Sequence, residues 1–264
     1  NAAAQVTSSA FTYDKTAPSI SAIATSAFSW GAVLNATEDD NDGTVSVTTV
    51  GVEDGQTVTI TLNGSTYTNT VSSNATTVTI TAADLQNLTE GSVTMTADVS
   101  DAAGNAAAQV TSSAFTYDKT APTVSSFTMS DTALKSGDTS TVTIVFSEAV
   151  TGFSSDADVT APNGTLAAMT SGDNITWTGT YTPTADVEDA INVLTLGTTW
   201  TDTAGNAYGG ASTDTANFTI DTTAPTVDTF TMTDTALKSG DTSTVTIVFS
   251  EAVTGFSSDA DVTA

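Results

Sequence analysis

The sequence predicts an all-β chain of tandem antiparallel β-sandwiches, and three observations carry that expectation. Segments rich in Thr alternate with Val, Ile and aromatic residues at a period of two, the pattern of strands with one buried and one wet face. Turn residues return at intervals of about 8–12 positions. Long stretches also repeat at the length of a small domain. Asn1 to Pro18 (NAAAQVTSSAFTYDKTAP) recurs unchanged from Asn105 to Pro122, an offset of 104. Asp131 to Ala161 recurs unchanged from Asp234 to Ala264, an offset of 103.

The three Pro residues that close FTYDKTAP (Pro18, Pro122) and FTIDTTAP (Pro225) set the organisation. Residues 1–18 read as the last strand and linker of a preceding domain. Residues 19–121 and 122–224 read as whole domains of two subtypes, and residues 225–264 as the front of another domain of the second subtype. The expectation is therefore a window from a longer repetitive chain. Donation of a terminal strand between copies would still lack the counterparts of Pro162 to Gly205.

In the first whole domain, strands are expected in TVSVTTV (Thr44 to Val50), QTVTITL (Gln56 to Leu62), TTVTIT (Thr76 to Thr81), SVTMTADVS (Ser92 to Ser100) and the run ending at Tyr117. In the second they are expected in STVTIVF (Ser140 to Phe146), ITWTGTYT (Ile175 to Thr182), INVLTLGTTW (Ile191 to Trp200) and the run ending at Ile220. The count is about seven strands in about 100 residues, as in a Greek-key sandwich. TAADLQNL (Thr81 to Leu88) suits one short helical turn, with Thr81 as cap and Leu85 and Leu88 inward. Trp30, Trp177, Trp200, Tyr181 and Phe146 fall at strand positions that face a core, and are expected to be packing residues rather than a sugar platform. The first subtype differs from the second by an acidic insertion, TEDDNDG (Thr37 to Gly43), where the second has SGD (Ser136 to Asp138).

Charge and composition exclude several functions. Thirty Asp and Glu stand against four Lys, for a formal net charge of -26. Such a chain repels nucleic acid and anionic membranes, so neither is an expected partner. Without Cys or His there is no disulfide, no thiolate site and no Ser-His-Asp type base. No nucleophile–base pair can be named, so an enzyme is not expected. No apolar run approaches the ~18 residues of a membrane helix. Seven Asn-x-Ser/Thr sequons, including Asn35, Asn74 and Asn163, read as chance matches in a chain this rich in Thr.

GVEDGQTVTITLNGSTYT, TAADLQNLTEGSVTMTADVSDAAGN and FTYDKTAP, together with SGDTSTVTIVFSEAVTGF, resemble bacterial immunoglobulin-like repeats. These build the extender regions of giant type 1 secreted surface adhesins of the RTX class, and the resemblance covers essentially the whole chain. It implies tandem immunoglobulin-like β-sandwiches in an elongated rod at the cell surface, with Ca²⁺ stiffening the junctions and neighbouring domains of the same chain as partners. The function implied is to hold an adhesive tip away from the cell for attachment or biofilm formation. The alternative is a self-assembling extracellular filament or surface layer, with filament neighbours as partners. Direct carbohydrate binding is less favoured, because no exposed aromatic cluster is evident.

Immunoglobulin-like topology places the B–C and F–G loops at the N-terminal end, beside the incoming linker. At the first linker this gathers Asp14 with Glu53, Asp101 and Asn105; at the second, Asp118 with Glu148, Asp202 and Asn206; at the third, Asp221 with Glu251. Carboxylate and amide oxygens without His or Cys are the ligand set of Ca²⁺. Glu38 and Asp39 of the insertion lie at the opposite end, where they add a ligand at the second linker or hold a separate ion. Turn formation without metal is the competing explanation for any single Asp. It is the recurrence of the whole set at two linkers that favours a cation. Asp156 and Asp158, with their copies Asp259 and Asp261, are expected to be solvated. Asp131 and Asp138 stand open between the two explanations.

Overall fold

The alternating Thr/Val/Ile segments form strands throughout the computed structural model, which describes residues 2–263. Two compact units are present. One runs to Pro122 and takes in Trp200–Gly209; the other comprises Thr123–Thr199 and the residues from Gly210 onward. No helix among the described residues is long and apolar enough to cross a membrane.

In the first unit, Gly43–Val50 pairs antiparallel with Ser19–Ile20 on one side and Ala75–Ile80 on the other. A facing sheet runs in the order Ser65–Thr70, Thr57–Leu62, Thr96–Asp98, Val110–Thr111. Phe115–Tyr117 pairs parallel with Val33–Leu34 and antiparallel with Gly91–Val93. Period-two alternation sends Val45, Val47, Val58, Ile60, Leu62, Val78 and Ile80 into one core. Phe28, Trp30 and Phe115 fill one end of it, with ring centroids 5.3–5.5 Å apart. The expected helical turn is Ala82–Gln86. Thr81 caps it by accepting from Asp84 N at 3.3 Å, and Leu85 and Leu88 are buried.

The segment expected as one strand from Ser92 to Ser100 is broken into Gly91–Val93 and Thr96–Asp98. Ser65–Thr70 is a strand that the expectation omits. It follows a two-residue turn in which Asn63 (φ 49°) and Gly64 (φ 82°) both take positive φ. Asn-Gly between alternating runs is the sequence sign of that turn.

In the second unit, Ser140–Phe146 lies between Val124–Met129 and Thr176–Pro183, with Gly164–Leu166 at the edge. Phe218–Asp221 pairs parallel with Ala133–Lys135 and antiparallel with Glu188–Asn192. Tyr181 and Phe146 are buried here and Trp177 is half-buried, while Trp200 is buried in the first unit and stacks on Tyr208 at 4.4 Å, so the packing role expected of these rings holds. Val227–Met232 pairs with Val245–Phe249 in a two-stranded sheet.

Asp158 departs from its expected solvated state. It closes the short helix Ser155–Asp158, is buried, and accepts from Ser154 N (2.8 Å) and Thr199 Oγ1. Asp156, on the outer side of the same turn, is exposed, as are Asp259 and Asp261. Asp131 and Asp138 accept from Ala133 N (3.0 Å) and Lys135 N (3.2 Å), the bonds of turn formers.

Candidate cation site at the linker aspartates

The strand Phe115–Tyr117 delivers Asp118 to the site, and the residues around it are fastened one by one. Tyr117 Oη donates to the buried carboxylate of Asp39 at 2.6 Å. Asp118 N donates to Leu34 O at 3.0 Å. Lys119 N and Thr120 Oγ1 donate to Glu90 Oε1 at 2.9 and 2.8 Å, and Lys119 Nζ donates to Gln86 O at 3.2 Å. The Asp118 carboxylate accepts from Thr120 N at 3.1 Å, an Asx turn just ahead of Pro122.

The loop Asp202–Asn206 meets this linker within the first unit. Asp202 accepts from Asn206 N and Asn206 Nδ2, both at 2.8 Å, and Asn206 Nδ2 also donates to Asp118 O at 2.9 Å. The loop's outer side is held as well. Ala36 N donates to Asn206 Oδ1 (2.9 Å) and Asn35 Nδ2 to Ala204 O (3.0 Å). Asp202 and Asn206 are 1% and 4% exposed.

The same motif recurs at Asp101–Asn105. Asp101 accepts from Asn105 N at 2.7 Å and Asn105 Nδ2 at 2.8 Å, and Asn105 Nδ2 reaches Asp14 O at 3.5 Å. Glu53 joins by accepting from Ala102 N at 2.9 Å. The structure thus brings Glu53, Asp101 and Asn105 together with the carbonyl of Asp14, while the Asp14 carboxylate turns to its own Thr16 N at 2.8 Å. In the second unit, Asp221 and Glu251 line one cavity of about 420 Å³ together with Lys135. Glu148 is half-buried in the turn after Ser140–Phe146.

Electrostatics separates these carboxylates. The Asn105 side-chain amide, with backbone N–H groups of the loop, holds Asp101 below the usual aspartate range. Thr120 and the Lys119 N–H do the same for Glu90. Asp118 moves the other way: burial raises it, and the charges of Asp202 and Glu90 add to that. Asp118 and Asp202 also bring a carboxylate oxygen each to within 4.8 Å of the other. Oxygens gathered at that spacing without His or Cys suit a hard divalent cation.

Glu38 and Asp39 sit apart from this group. Asn35 Oδ1 accepts from Thr37 N and Glu38 N, both at 3.0 Å, while Glu38 Oε2 accepts from Asn35 N at 3.1 Å. That reciprocal pair has the hydrogen-bond pattern of a capping box, here closing the turn over residues 36–40 instead of a helix. What sequence reasoning missed is the outward amide of Asn35.

Two immunoglobulin-like sandwiches with acidic loops beside their linkers define a class of all-β modular proteins. The family model for the bacterial Ig-like domain matches residues 118–220 and 221–264, and the chain belongs to that family. Among curated protein sequences, none matches. Similar solved structures include one from a study of host cell surface retention of a 1.5-MDa bacterial ice-binding adhesin. It is 23% identical, with 81% of this chain and 68% of that one covered and a TM-score of 0.47. Another is a Ca²⁺-stabilised adhesin of an Antarctic bacterium, 25% identical over 80% of this chain and 50% of that one, with a TM-score of 0.40. A third is a bacterial immunoglobulin-like domain of the M. primoryensis ice-binding adhesin. Its identity is 31%, over 38% of this chain and 93% of that one, with a TM-score of 0.28. This chain spans half the length of the second of these.

Proposed function

We propose that this chain is a structural extender segment of a bacterial cell-surface adhesin, with linkers stiffened by Ca²⁺, whose work is to hold an adhesive tip away from the cell. The observation that supports the reading best is the approach of Asp118 and Asp202, with Asp118 raised by burial and by like charge. Two unit charges ~4 Å apart repel by about 1 kcal/mol in water and about 4 kcal/mol at an effective dielectric of 20. A divalent cation reverses that sign and ties the linker to the loop. In this reading Glu148 supplies the third carboxylate. Asp14, Glu53 and Asp101 form the equivalent set at the first linker, and Asp221 and Glu251 at the third. Asn105 and Asn206 brace the Asp side chain through their amide nitrogens; the Asn105 oxygen stays in the proposed ligand set, whereas the Asn206 oxygen already accepts from Ala36 N. Glu38 and Asp39 would take a separate ion only by releasing Asn35 N and Tyr117 Oη.

Extracellular modules bind Ca²⁺ at about 10⁻⁴ to 10⁻³ M, so the sites would fill outside the cell. Calorimetric titration of Ca²⁺ into the EDTA-treated protein tests this. The wild type should bind in that range and Asp118→Asn should weaken binding at this linker by at least about tenfold, since a lost carboxylate ligand removes charge and an oxygen together. No binding heat, with no change of melting temperature between millimolar Ca²⁺ and EDTA, would overturn the reading.

A further inference from the structure

The loop Asp202–Asn206 is also gripped from the turn that follows Val33–Leu34. Asn35 Nδ2 donates to Ala204 O at 3.0 Å and Ala36 N to Asn206 Oδ1 at 2.9 Å. Both donors are neutral, so neither bond depends on a cation. Asn35 is free to give its amide because its own Oδ1 is already committed to Thr37 N and Glu38 N, which orients the side chain. The receiving loop is shaped to fit. Gly205 has φ +95°, which strains any side chain, and a Cβ there would stand 3.1 Å from Asn35 Nδ2 and push it back by a few tenths of an ångström.

Asn206 links this grip to the acidic group. Its Oδ1 takes the Ala36 N–H, which leaves its Nδ2 to face Asp202 Oδ2 (2.8 Å) and Asp118 O (2.9 Å) at once. One amide orientation satisfies all three bonds, and the opposite one would set oxygen against oxygen twice. The Ala36 N–H therefore selects the orientation in which Asp202 and the linker are held together.

We propose that Asn35 and Ala36, which open the acidic insertion, form a cation-independent docking site for an Asp-x-Ala-Gly-Asn loop. By fixing Asn206 they preset Asp202 and Asp118 for the ion. The partner is defined by its chemistry: a carbonyl two residues before the Asn, a Gly with positive φ, and an Asn side-chain oxygen. Asn35 and Ala36 are positioning residues and touch no ion. The docking half stands without a cation; the presetting half rests on the calcium reading above.

Backbone amide exchange by NMR in EDTA, followed by a Ca²⁺ titration, tests both halves on the intact chain. Asn35→Ser keeps an oxygen to cap Thr37 and Glu38 while losing the amide donor, and adds no charge. Gly205→Ala attacks the same contact from the loop. In wild type without calcium, the Ala36 and Asn206 amides should be protected. Either variant should lower the Ala36 protection by roughly fivefold or more, the worth of about one net hydrogen bond, and leave Thr37 and Glu38 as they were. Calcium affinity at Asp118 and Asp202 should fall by a similar factor in Asn35→Ser. An Ala36 amide that exchanges freely in the wild type, or is unchanged in both variants, overturns the docking site. Protection lost with calcium affinity intact overturns the presetting role alone. A wild type that binds no calcium refutes the calcium reading, and the exchange data in EDTA still decide the docking site.

Discussion

Replacing Tyr117 with Phe removes one hydroxyl from a contact that neither partner can rebuild with water. Tyr117 is fully buried and Asp39 is 3% exposed, with 2.6 Å between Oη and Oδ2. Burial first, and then the Asp39 carboxylate, push the phenol well above the ordinary tyrosine range, so it stays a donor at any pH where the protein folds. A hydrogen bond to a charged group contributes about 1.5–3 kcal/mol, and its loss leaves the carboxylate buried without its donor. Taking about 2 kcal/mol and a sandwich of about 100 residues, Tyr117→Phe should lower Tm by roughly 10 °C. The shift should be the same in EDTA and in millimolar Ca²⁺.

Thermal melts of Tyr117→Phe, Asp39→Asn and the double variant form the cycle that isolates the pair. Asp39→Asn keeps the size and an acceptor oxygen but lowers the bond to a neutral one. The two single effects should therefore overlap in the double variant instead of adding. A Tyr117→Phe cost below about 0.5 kcal/mol, the range of surface substitutions, would refute this account of the contact. An Asp39→Asn cost that is present in calcium and absent in EDTA would refute it differently, by making Asp39 a ligand of an ion.

Two further outcomes follow from individual carboxylates. Burial and like charge place Asp118 above the usual aspartate range, so its ionised form opposes folding at neutral pH without a cation. That penalty lifts as pH falls through its raised pKa, and calcium binding should weaken over the same interval. Asp101 lies below the usual range, so its stabilisation is complete above the unfolded pKa and is lost only as pH falls through the depressed value. Carboxyl ¹³C NMR titration in EDTA should show Asp118 protonating well before Asp101; the reverse order would contradict these environments. Asp158→Ala should cost about 2–3 kcal/mol in denaturant titration, because it strands Ser154 N and Thr199 Oγ1, whereas Asp156→Ala should stay within about 0.5 kcal/mol.

The features legible in the sequence are those written by local periodicity. Strand faces follow from alternation, which is why Val45, Val47, Ile60 and Ile144 are all inside. The Thr81 cap follows from spacing alone. Burial of a given side chain does not follow in the same way, because it depends on a partner strand. Phe127 and Phe230 occupy equivalent places in the repeat, yet they are 6% and 59% exposed. The first lies on a strand that is part of a four-stranded sheet, the second on one of a two-stranded pair. Asp158 escapes a sequence reading for a related reason. A four-residue helix carries too little pattern to show which of two acids turns inward. The grip of Asn35 on Ala204 joins residues 169 positions apart, and no local rule reaches that far.

Thirty acids in one chain raise the question of which of them concern a cation at all. The directions of the pKa shifts offer a physical answer. Asp101, Glu90 and Asp173 are each lowered, and in each case the first cause is a hydrogen-bond donor: the Asn105 amide, the Thr120 hydroxyl and the Thr176 N–H. Their charge is met in part by those donors, and in the proposed reading Asp101 would turn its remaining lone pairs to the ion. Asp118 accepts from Thr120 N, yet it is raised, because burial and two neighbouring carboxylates outweigh that one donor. Asp118 and Asp101 therefore look alike in sequence and differ in the sign of this balance. In the calcium reading proposed above, Asp118 would gain most from an ion, and the Asp of the Asp-x-Ala-Gly-Asn motif is braced beside it by its own Asn. Taking that brace away from the second loop, as in Asn206→Ala, differs from removing a ligand: it frees Asp202 and uncouples Asp118 O in one step, while every carboxylate stays in place.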